Sequence, residues 1–221
     1  VMSILGLRPA EISTQIVQRD RLAELICLLA MIASTLDKMA TEVRELQRTE
    51  IGELAEPFDE RAQVGSSTMP HKRNPITCER ICGLAKVVRS LVIPALENIP
   101  TWHERDLTQS SAERFIVPEA LILVDYMAYL MIRVLSGLEI RPDRMAENLA
   151  LTKGLIMSEA LMLELTRRGM ARDDAYRLVR SLCLKAIKEN RPFKEVAMES
   201  EAVKALMEPE ELETILRPEG Y

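Results

Sequence analysis

The sequence is poor in the residues on which several large protein classes depend. Four cysteines and two histidines in 221 residues are too few for a disulfide framework or a multi-histidine metal centre. No run of about 18 uncharged apolar residues is present, so we expect no membrane-spanning helix. Aromatic residues make up only 4% of the chain, yet 48% of the residues are hydrophobic. The apolar content is therefore mainly aliphatic, and it is too high for a disordered chain.

The charge balance also excludes a broad class of partners. The formal net charge is −5, which makes the chain a poor general binder of nucleic acid. The first residues, from Val1 to Ile4, lack the basic and apolar regions of a signal peptide. Cys78 and Cys82 are one helical turn apart, with no partner pair at zinc spacing, which favours small buried side chains over metal ligands. We expect a cytoplasmic protein with no metal and no cofactor, bound neither to membranes nor to nucleic acid.

The first long segment of the chain is typical of a long helix. Neither glycine nor proline occurs between Pro9 and Gly52. Within this stretch, apolar residues recur at alternating spacings of three and four. The residues of this apolar seam are Leu22, Leu25, Leu29, Ile32, Leu36, Met39, Val43 and Leu46. The pattern predicts a helix of about 35 residues, which needs neighbouring helices of matching length.

Two further long helices are predicted before residue 141. One runs from about Ile76 to Ile99, with Pro94 expected to kink it or loosen its last turn. The other runs from about Thr108 to Gly137 and is apolar on nearly every face. A helix that is apolar all round is buried among other helices.

Shorter helices are predicted after Pro142. Four residues punctuate this part of the chain: Gly154, Gly169, Pro192 and Pro209. The sequence therefore predicts an all-α protein: an elongated bundle of long helices over residues 1–141, followed by a small helical domain over residues 142–221.

The segment Gly-Ser-Ser-Thr-Met-Pro-His-Lys-Arg-Asn-Pro at residues 65–75 combines three chemical features. Its first four residues are small, so their backbone N–H groups can face an anion. Lys72 and Arg73 add positive charge, and the two prolines stiffen the segment. We call residues 65–75 the signature segment. The signature segment is either an anion-binding loop with hydroxyls for proton transfer or a basic loop on the surface. Composition does not decide between the two.

A second polar cluster occupies residues 102–114. If Thr108 or Ser110 begins the next helix, the unpaired N–H groups of its first turn form an anion site. Arg105 precedes that helix, and Arg114 lies one turn after Ser110, so a phosphate would find matching donors. Ordinary helix capping with Glu–Arg surface pairs explains the same residues. Ser13-Thr14-Gln15, just before the apolar seam, reads equally well as a helix cap.

The signature segment resembles the signature loop of the fumarase/aspartase superfamily, whose members share a central bundle of long helices from four subunits. Residues 13–15 and 102–106, with Ser110 and Arg114, look most like the superfamily members that act on succinyl purine nucleotides. The resemblance covers nearly the whole chain, as the second and third domains of such an enzyme. It implies a homotetramer with shared active sites and a nucleotide substrate.

The resemblance also implies a reaction and a set of site residues. The reaction is the elimination of fumarate from a succinyl-amine, with Ser66 as the base and Lys72 and Asn74 holding the succinyl carboxylates. Lys72 and aligned loop amides would stabilise the serine oxyanion and the charge of the carbanion. A catalytic role is further implied for Glu79. The remaining substrate contacts implied are Gln15, Ser67, Thr68, Met69, Arg80, Arg105, Ser110 and Arg114.

One departure from the superfamily pattern is large. Its general acid is a histidine in an earlier segment, and neither His71 nor His103 matches that position. We therefore expect this chain to be a piece of the enzyme that lacks the N-terminal domain. Two alternatives stay open: another superfamily member, such as a carboxymuconate cycloisomerase, and a non-catalytic helical assembly unit.

Overall fold

A computed structural model of the chain describes residues 1–58, 69 and 72–218, and it divides into two compact units between Arg141 and Pro142. The first unit contains α1 (Asp20–Leu46), β1 (Leu54–Ala55), α2 (Ile76–Ser90), α3 (Val92–Glu97), α4 (Thr108–Ser136) and β2 (Glu139–Ile140). The second contains α5 (Pro142–Ala150), a 3₁₀ turn (Leu155–Met157), α6 (Ser158–Arg167), α7 (Arg172–Glu189), α8 (Phe193–Met198), α9 (Glu201–Lys204) and α10 (Pro209–Ile215). Within the described residues the only strands are two antiparallel dipeptides, with Leu54 opposite Ile140. The predicted all-α class is confirmed.

Three helices of the first unit, α1, α2 and α4, pack against one another around one apolar core. The side chain of Arg89 bonds Asp37 and that of Arg44 approaches Cys82, so α2 runs antiparallel to α1. Because β1 follows α1 and β2 follows α4, the pairing of β1 with β2 places the end of α4 beside the end of α1. One end of the bundle therefore holds the start of α1 and of α4, and the other holds the end of α1 and the start of α2.

The face that α1 buries differs from the predicted seam. Of the eight seam residues, only Leu29 and Val43 are buried, while Ile32 and Met39 are exposed. The buried stripe is Ala23, Ile26, Leu29, Ala30, Ala33, Ala40 and Val43. Small alanine side chains let neighbouring helix axes approach closely, so the in-chain contact uses them. The larger seam residues lie on the adjacent face, which this chain covers only in part.

The helix predicted from Ile76 to Ile99 is interrupted in the structure. Helix α2 ends at Ser90, and α3 begins after Leu91. Pro94 has no N–H to donate to the carbonyl of Ser90, and its ring crowds that carbonyl. The helix thus breaks at Ser90, four residues before Pro94, because the hydrogen bond from residue 94 to the Ser90 carbonyl cannot form.

Helix α4 agrees with its predicted span to within one residue, at 29 residues long. It is the one helix in the described part of the chain long and apolar enough to cross a membrane by length and composition. One side of α4 packs against α1 and α2 in the core. Its other side exposes large apolar residues: Phe115, Leu121, Ile122, Tyr126, Tyr129, Ile132 and Leu135. A helix apolar on both sides is typical of the interior of a larger helical assembly.

The second unit has its own apolar core, built from residues of α6 to α10 and the 3₁₀ turn. Gly169 ends α6 with a φ of 101°, which an L side chain adopts only with strain, and Met170 N–H then bonds the Leu165 carbonyl. Asn190 ends α7 in the left-handed region. These turns fold α6, α7 and α8 back on one another, with Phe193 fully buried between them.

Ion pairs tie the surface of the second unit together. Arg191 donates to the carboxylate of Glu199, at 3.2 Å from Nη1 to Oε2, and Lys185 Nζ lies 3.2 Å from the same oxygen. The hydrogen bonds from Arg191 and then Lys185 lower the pKa of Glu199 to about 2. Because the pair stabilises the charged carboxylate, it stabilises the fold only where Glu199 is ionised.

We predict that Glu199→Gln destabilises the chain at neutral pH and has little effect near pH 2. The pKa of Glu199 is depressed on folding from 4.5 to about 2, so its stabilising contribution is complete above pH 4.5 and disappears as the pH falls to about 2. Urea unfolding followed by circular dichroism at both pH values measures the difference in midpoint.

Glu201→Gln is the matched control, because among the described residues Glu201 pairs only with Lys204, one turn away, and its side chain is 87% exposed. We expect small and similar midpoint shifts for this variant at both pH values. A Glu199→Gln deficit that persisted unchanged at pH 2 would contradict the assigned role of the Arg191–Glu199 pair.

Candidate active site

The described part of the signature segment lies at the end of α1. Lys72 N–H bonds the carbonyl of Met69, and Asn74 leads directly into α2. A cleft of about 650 Å³ opens here between the last turn of α1 and this segment. Its lining includes Arg44, Gln47, Met69, Lys72, Asn74 and Glu79. Four of the residues proposed from the resemblance, Met69, Lys72, Asn74 and Glu79, thus share one cleft.

Three of the proposed residues, Ser66, Ser67 and Thr68, lie outside the described residues, as does His71. The structure therefore fixes where the segment that carries Ser66 leaves and rejoins the bundle. It leaves after Phe58 beside β1, and it rejoins at Lys72 before α2.

A buried carboxylate that sequence reasoning missed holds the start of α2. Glu56 is 4% exposed, and its two carboxylate oxygens accept the N–H groups of Thr77 and Cys78, each at 3.0 Å. These are orphan donors of the first helical turn, where a negative charge also meets the positive end of the helix dipole. Glu56 lies about 20 residues before the helix that it caps, so no local sequence signal could have revealed it.

A second missed residue, Gln47, bridges the two sides of the same cleft. Its Oε1 accepts the N–H of Glu56 at 2.9 Å, and its Nε2 donates to the carbonyl of Arg73 at 3.2 Å. The partners fix the orientation of the amide, because a backbone N–H only donates and a carbonyl only accepts.

Cys78, at the start of α2, is unsuited to thiolate chemistry. Cys78 is fully buried, and burial followed by the charge of Glu56 strongly raises its pKa. Cys82 is 7% exposed and accepts from Arg44 at 3.4 Å. All four cysteines are free thiols. Among the described residues, no group of three His, Cys, Asp or Glu side chains could hold a metal ion.

Glu79 and Arg80 point in different directions. Glu79, one turn into α2, lines the cleft. Arg80 follows it about 100° further around the helix and donates to the Tyr126 hydroxyl on α4 at 3.2 Å. The described geometry thus brings Glu79, and not Arg80, together with Lys72 and Asn74.

The other proposed residues gather at the opposite end of the bundle. Thr14, next to Gln15, donates to the carbonyl of Glu104 at 2.7 Å, which places Gln15 beside Arg105 in the fold. A cleft of about 500 Å³ lies here, lined among others by Ser13, Thr14, Arg19 and His103. His103 has a φ of 47°, a conformation uncommon for any residue other than glycine.

Helix α4 begins at the same end of the bundle, with a cap that the sequence did not single out. Asp106 accepts the N–H groups of Thr108 and Trp102 at 2.9 Å each. The Thr108 hydroxyl and these N–H groups lower the pKa of Asp106. Ser110 and Arg114 follow within the first two turns of α4, with Ser110 half-buried and Arg114 exposed.

The two groups of proposed residues lie far apart within one chain. Arg19, just before α1, pairs with Glu113 of α4 at 3.1 Å, so Arg114 lies near the start of α1. Lys72 and Asn74 lie beside its end, at Gln47. Since α1 has 27 residues, the groups are separated by about 40 Å. No nucleotide spans that distance within one chain.

Comparisons with known proteins agree with this fold. The family model described as Lyase matches residues 2–90, and the model described as Adenylosuccinate lyase C-terminus matches residues 154–221. The whole chain is 58% identical to an adenylosuccinate lyase of Pyrococcus horikoshii and 56% identical to that of Methanothermobacter thermautotrophicus. In each case it covers 49% of the relative, so the chain spans about half the length of the curated relatives it matches.

Solved structures show the same bundle. A 3-carboxy-cis,cis-muconate lactonizing enzyme from Pseudomonas putida matches 99% of this chain with a TM-score of 0.84 and 33% identity, over 47% of its own chain. A fumarate lyase from Mesorhizobium sp. BNC1 matches 92% with a TM-score of 0.81 and 30% identity, over 44% of its own chain.

Fold and sequence are both similar to those of lyases of the fumarase/aspartase superfamily. Within that class, the matched C-terminal family model and the two relatives are those of adenylosuccinate lyases.

We predict that Cys78 and Cys82 resist alkylation in the native protein. Both are buried in the core beside α1, whereas Cys27 and Cys183 are partly exposed. Reaction at the buried pair requires the core to open, so its rate should be lower than that of Cys27 by about 100-fold or more. Peptide mapping by mass spectrometry after timed iodoacetamide treatment measures the four rates. Rapid labelling of Cys78 under native conditions would contradict its burial in the core.

Proposed function

We propose that this chain is part of an adenylosuccinate lyase, which releases fumarate from adenylosuccinate and from the related succinyl-carboxamide nucleotide of purine biosynthesis. The observation that carries the proposal is the 58% identity to such an enzyme over all 221 residues, signature segment included. The cleft that brings Lys72, Asn74 and Glu79 together supports it.

In the proposed reaction, Ser66 removes a proton from the carbon beside a succinyl carboxylate. The bond from the neighbouring carbon to nitrogen then breaks, and the double bond of fumarate forms. Lys72 and Asn74 hold the carboxylates and stabilise the charge that builds on them, while Glu79 lies in the same cleft for a further catalytic role. The acid that protonates the leaving nitrogen is expected from the part of the relatives that this chain does not span. No cofactor or metal is needed for this chemistry.

The second group of residues supports a nucleotide rather than a small dicarboxylate as substrate. We assign Arg105, Ser110 and Arg114 to the phosphate, since arginine forks and the first turn of a helix both bind phosphate well. We further assign Gln15 to a substrate carboxylate. A carboxymuconate carries no phosphate, and the identity to the muconate enzyme of Pseudomonas putida is only 33%.

We infer that each active site combines residues from different chains of a homotetramer. The separation of about 40 Å between Lys72 and Arg114 supports this, because a second chain running antiparallel would bring the two ends together. The exposed apolar side of α4 and the uncovered seam of α1 supply the surface for such contacts. The four free cysteines suit a reducing compartment, and we place the enzyme in the cytoplasm.

The proposed activity is tested in a chimera that completes this chain with the part of the Pyrococcus horikoshii relative that it does not span. We expect fumarate release from adenylosuccinate, followed by absorbance, and no turnover by the 221-residue chain alone. Ser66→Ala should lower kcat by about 10²–10⁴-fold with little change in KM, because it removes a transition-state function.

Two outcomes would favour the alternatives. Turnover of carboxymuconate and not of adenylosuccinate would identify a cycloisomerase. A well-folded chimera that turns over neither substrate would favour a non-catalytic helical assembly.

Shared active sites predict that two inactive variants rescue each other. Chimeras with Ser66→Ala and with Arg114→Ala are mixed one to one, dissociated and reassembled. If the two residues of one site come from different chains, about one quarter of the sites receive both intact residues, which restores about one quarter of the wild-type kcat/KM. If both residues came from one chain, mixing would restore nothing.

The control for this experiment is each variant dissociated and reassembled alone, which should stay inactive. Sedimentation of the same samples should show a tetramer at micromolar concentration. A stable, well-folded monomer would contradict the shared-site arrangement.

A further inference from the structure

We propose that Gln47 is a positioning residue that, through Glu56 and Arg73, sets the place of Lys72 and Asn74 in the cleft. The inference rests on the proposed function, since it assumes that Lys72 and Asn74 hold the carboxylates of the substrate. We call Gln47, Glu56 and Arg73 the anchor.

The anchor connects the two places where the bundle meets the segment that carries Ser66. Gln47 is the first residue after α1. One atom of its amide accepts from Glu56, which precedes that segment, and the other donates to the carbonyl of Arg73, which follows it. A single rigid amide therefore fixes the spacing between the two ends. Arg73 is the residue between Lys72 and Asn74, so its carbonyl cannot move without moving both.

Glu56 extends the anchor to α2. Its buried carboxylate bonds the N–H groups of Thr77 and Cys78, so the first turn of α2 and the end of α1 share one set of contacts. The contacts form a closed ring: Gln47 to Glu56, Glu56 to α2, the chain from α2 back to Arg73, and Arg73 to Gln47. Lys72 and Asn74 are the sequence neighbours of Arg73, the ring member whose carbonyl accepts from Gln47.

Contacts with the end of α4 hold the same residues from the other side. The Arg73 guanidinium lies 5.0 Å from the ring centre of Phe58 and 3.7 Å from the carboxylate of Glu139 in β2. Pro57 packs on Gly137, where an added Cβ would lie 2.8 Å from the Pro57 Cβ. The side chain of Arg73 is therefore held by β2, and its backbone is held by Gln47.

Removal of both hydrogen bonds of Gln47 at nearly constant side-chain volume tests the inference. In the chimera, we expect Gln47→Met to lower kcat by about 100-fold, because displacement of a catalytic group by about 1 Å costs that much. The inhibition constant of fumarate should rise by about tenfold, since fumarate is gripped by Lys72 and Asn74. The inhibition constant of inorganic phosphate should not change, because phosphate binds at Arg105, Ser110 and Arg114.

The two inhibition constants separate positioning from simple loss of folded protein. Partial unfolding lowers kcat in proportion to the folded fraction but leaves both inhibition constants unchanged. Glu42→Met, an exposed change near the same end of α1, is the matched control and should leave all three constants unchanged. Wild-type kcat and fumarate inhibition in Gln47→Met would overturn the inference.

Gln47→Glu serves as the second variant if Gln47→Met lowers Tm by more than about 5 °C, roughly 1–2 kcal/mol for a chain of this size. It keeps the acceptor for Glu56 N–H, replaces the donor to Arg73 with an acceptor oxygen, and adds a negative charge. The same rise in the fumarate constant, without a rise for phosphate, is expected. A folded Gln47→Glu variant with the wild-type fumarate constant would overturn the inference.

Hydrogen exchange distinguishes this inference from the proposed function. In the folded chimera, the Glu56 amide should lose protection in Gln47→Met and keep it in Glu42→Met, whether or not the enzyme turns over adenylosuccinate. Unchanged protection of Glu56 would overturn the anchor alone. A wild-type chimera that releases no fumarate would overturn the proposed function, while exchange at Glu56 would still decide whether the anchor exists.

Discussion

The length of α1 is the constraint on which the rest of the structure depends. An uninterrupted helix of 27 residues is a rod of about 40 Å, and the candidate site residues that the structure describes lie near one of its ends. Lys72 and Asn74 are held at its carboxyl end through Gln47. Arg114 is held at its amino end through the pair of Arg19 with Glu113. Flexibility of loops cannot close such a gap, so the two groups can act on one substrate only if another chain supplies one of them.

Two faces of α1 differ in the size of their apolar side chains. Alanines on one face let α2 and α4 approach closely within the chain. Leucine, isoleucine and methionine on the adjacent face remain partly or fully exposed, as do the large residues on the outer side of α4. A monomer gains nothing from these large residues in water, because their burial is what stabilises. The division of small and large apolar residues between faces therefore favours an assembly over a solitary unit.

The sequence was informative where structure depends on local rules. The span of α4, the start of α2 and the effect of Pro94 all follow from periodicity and from the missing N–H of proline. Periodicity failed to identify the buried face of α1, because hydrophobicity marks residues that will be buried but does not say against which chain. It also could not find Glu56 and Gln47. Their partners lie 9 to 26 residues away along the chain, beyond the reach of a helical turn, and their role exists only once the helices have packed.

Solvent exposure is a second argument for the proposed sharing of active sites between chains. Lys72 and Glu79 are exposed in the single chain, and Asn74 is only half-buried. On the proposed mechanism, a serine must act as a base, and an alkoxide is stabilised enough for that only where water is excluded and donors are fixed. The anchor supplies fixed donors, since it holds the backbone on both sides of Lys72 and Asn74. The anchor does not exclude water from the cleft. In the proposed shared site, neighbouring chains would also lower the dielectric around the base, so assembly and catalysis would both depend on the same exposed apolar faces.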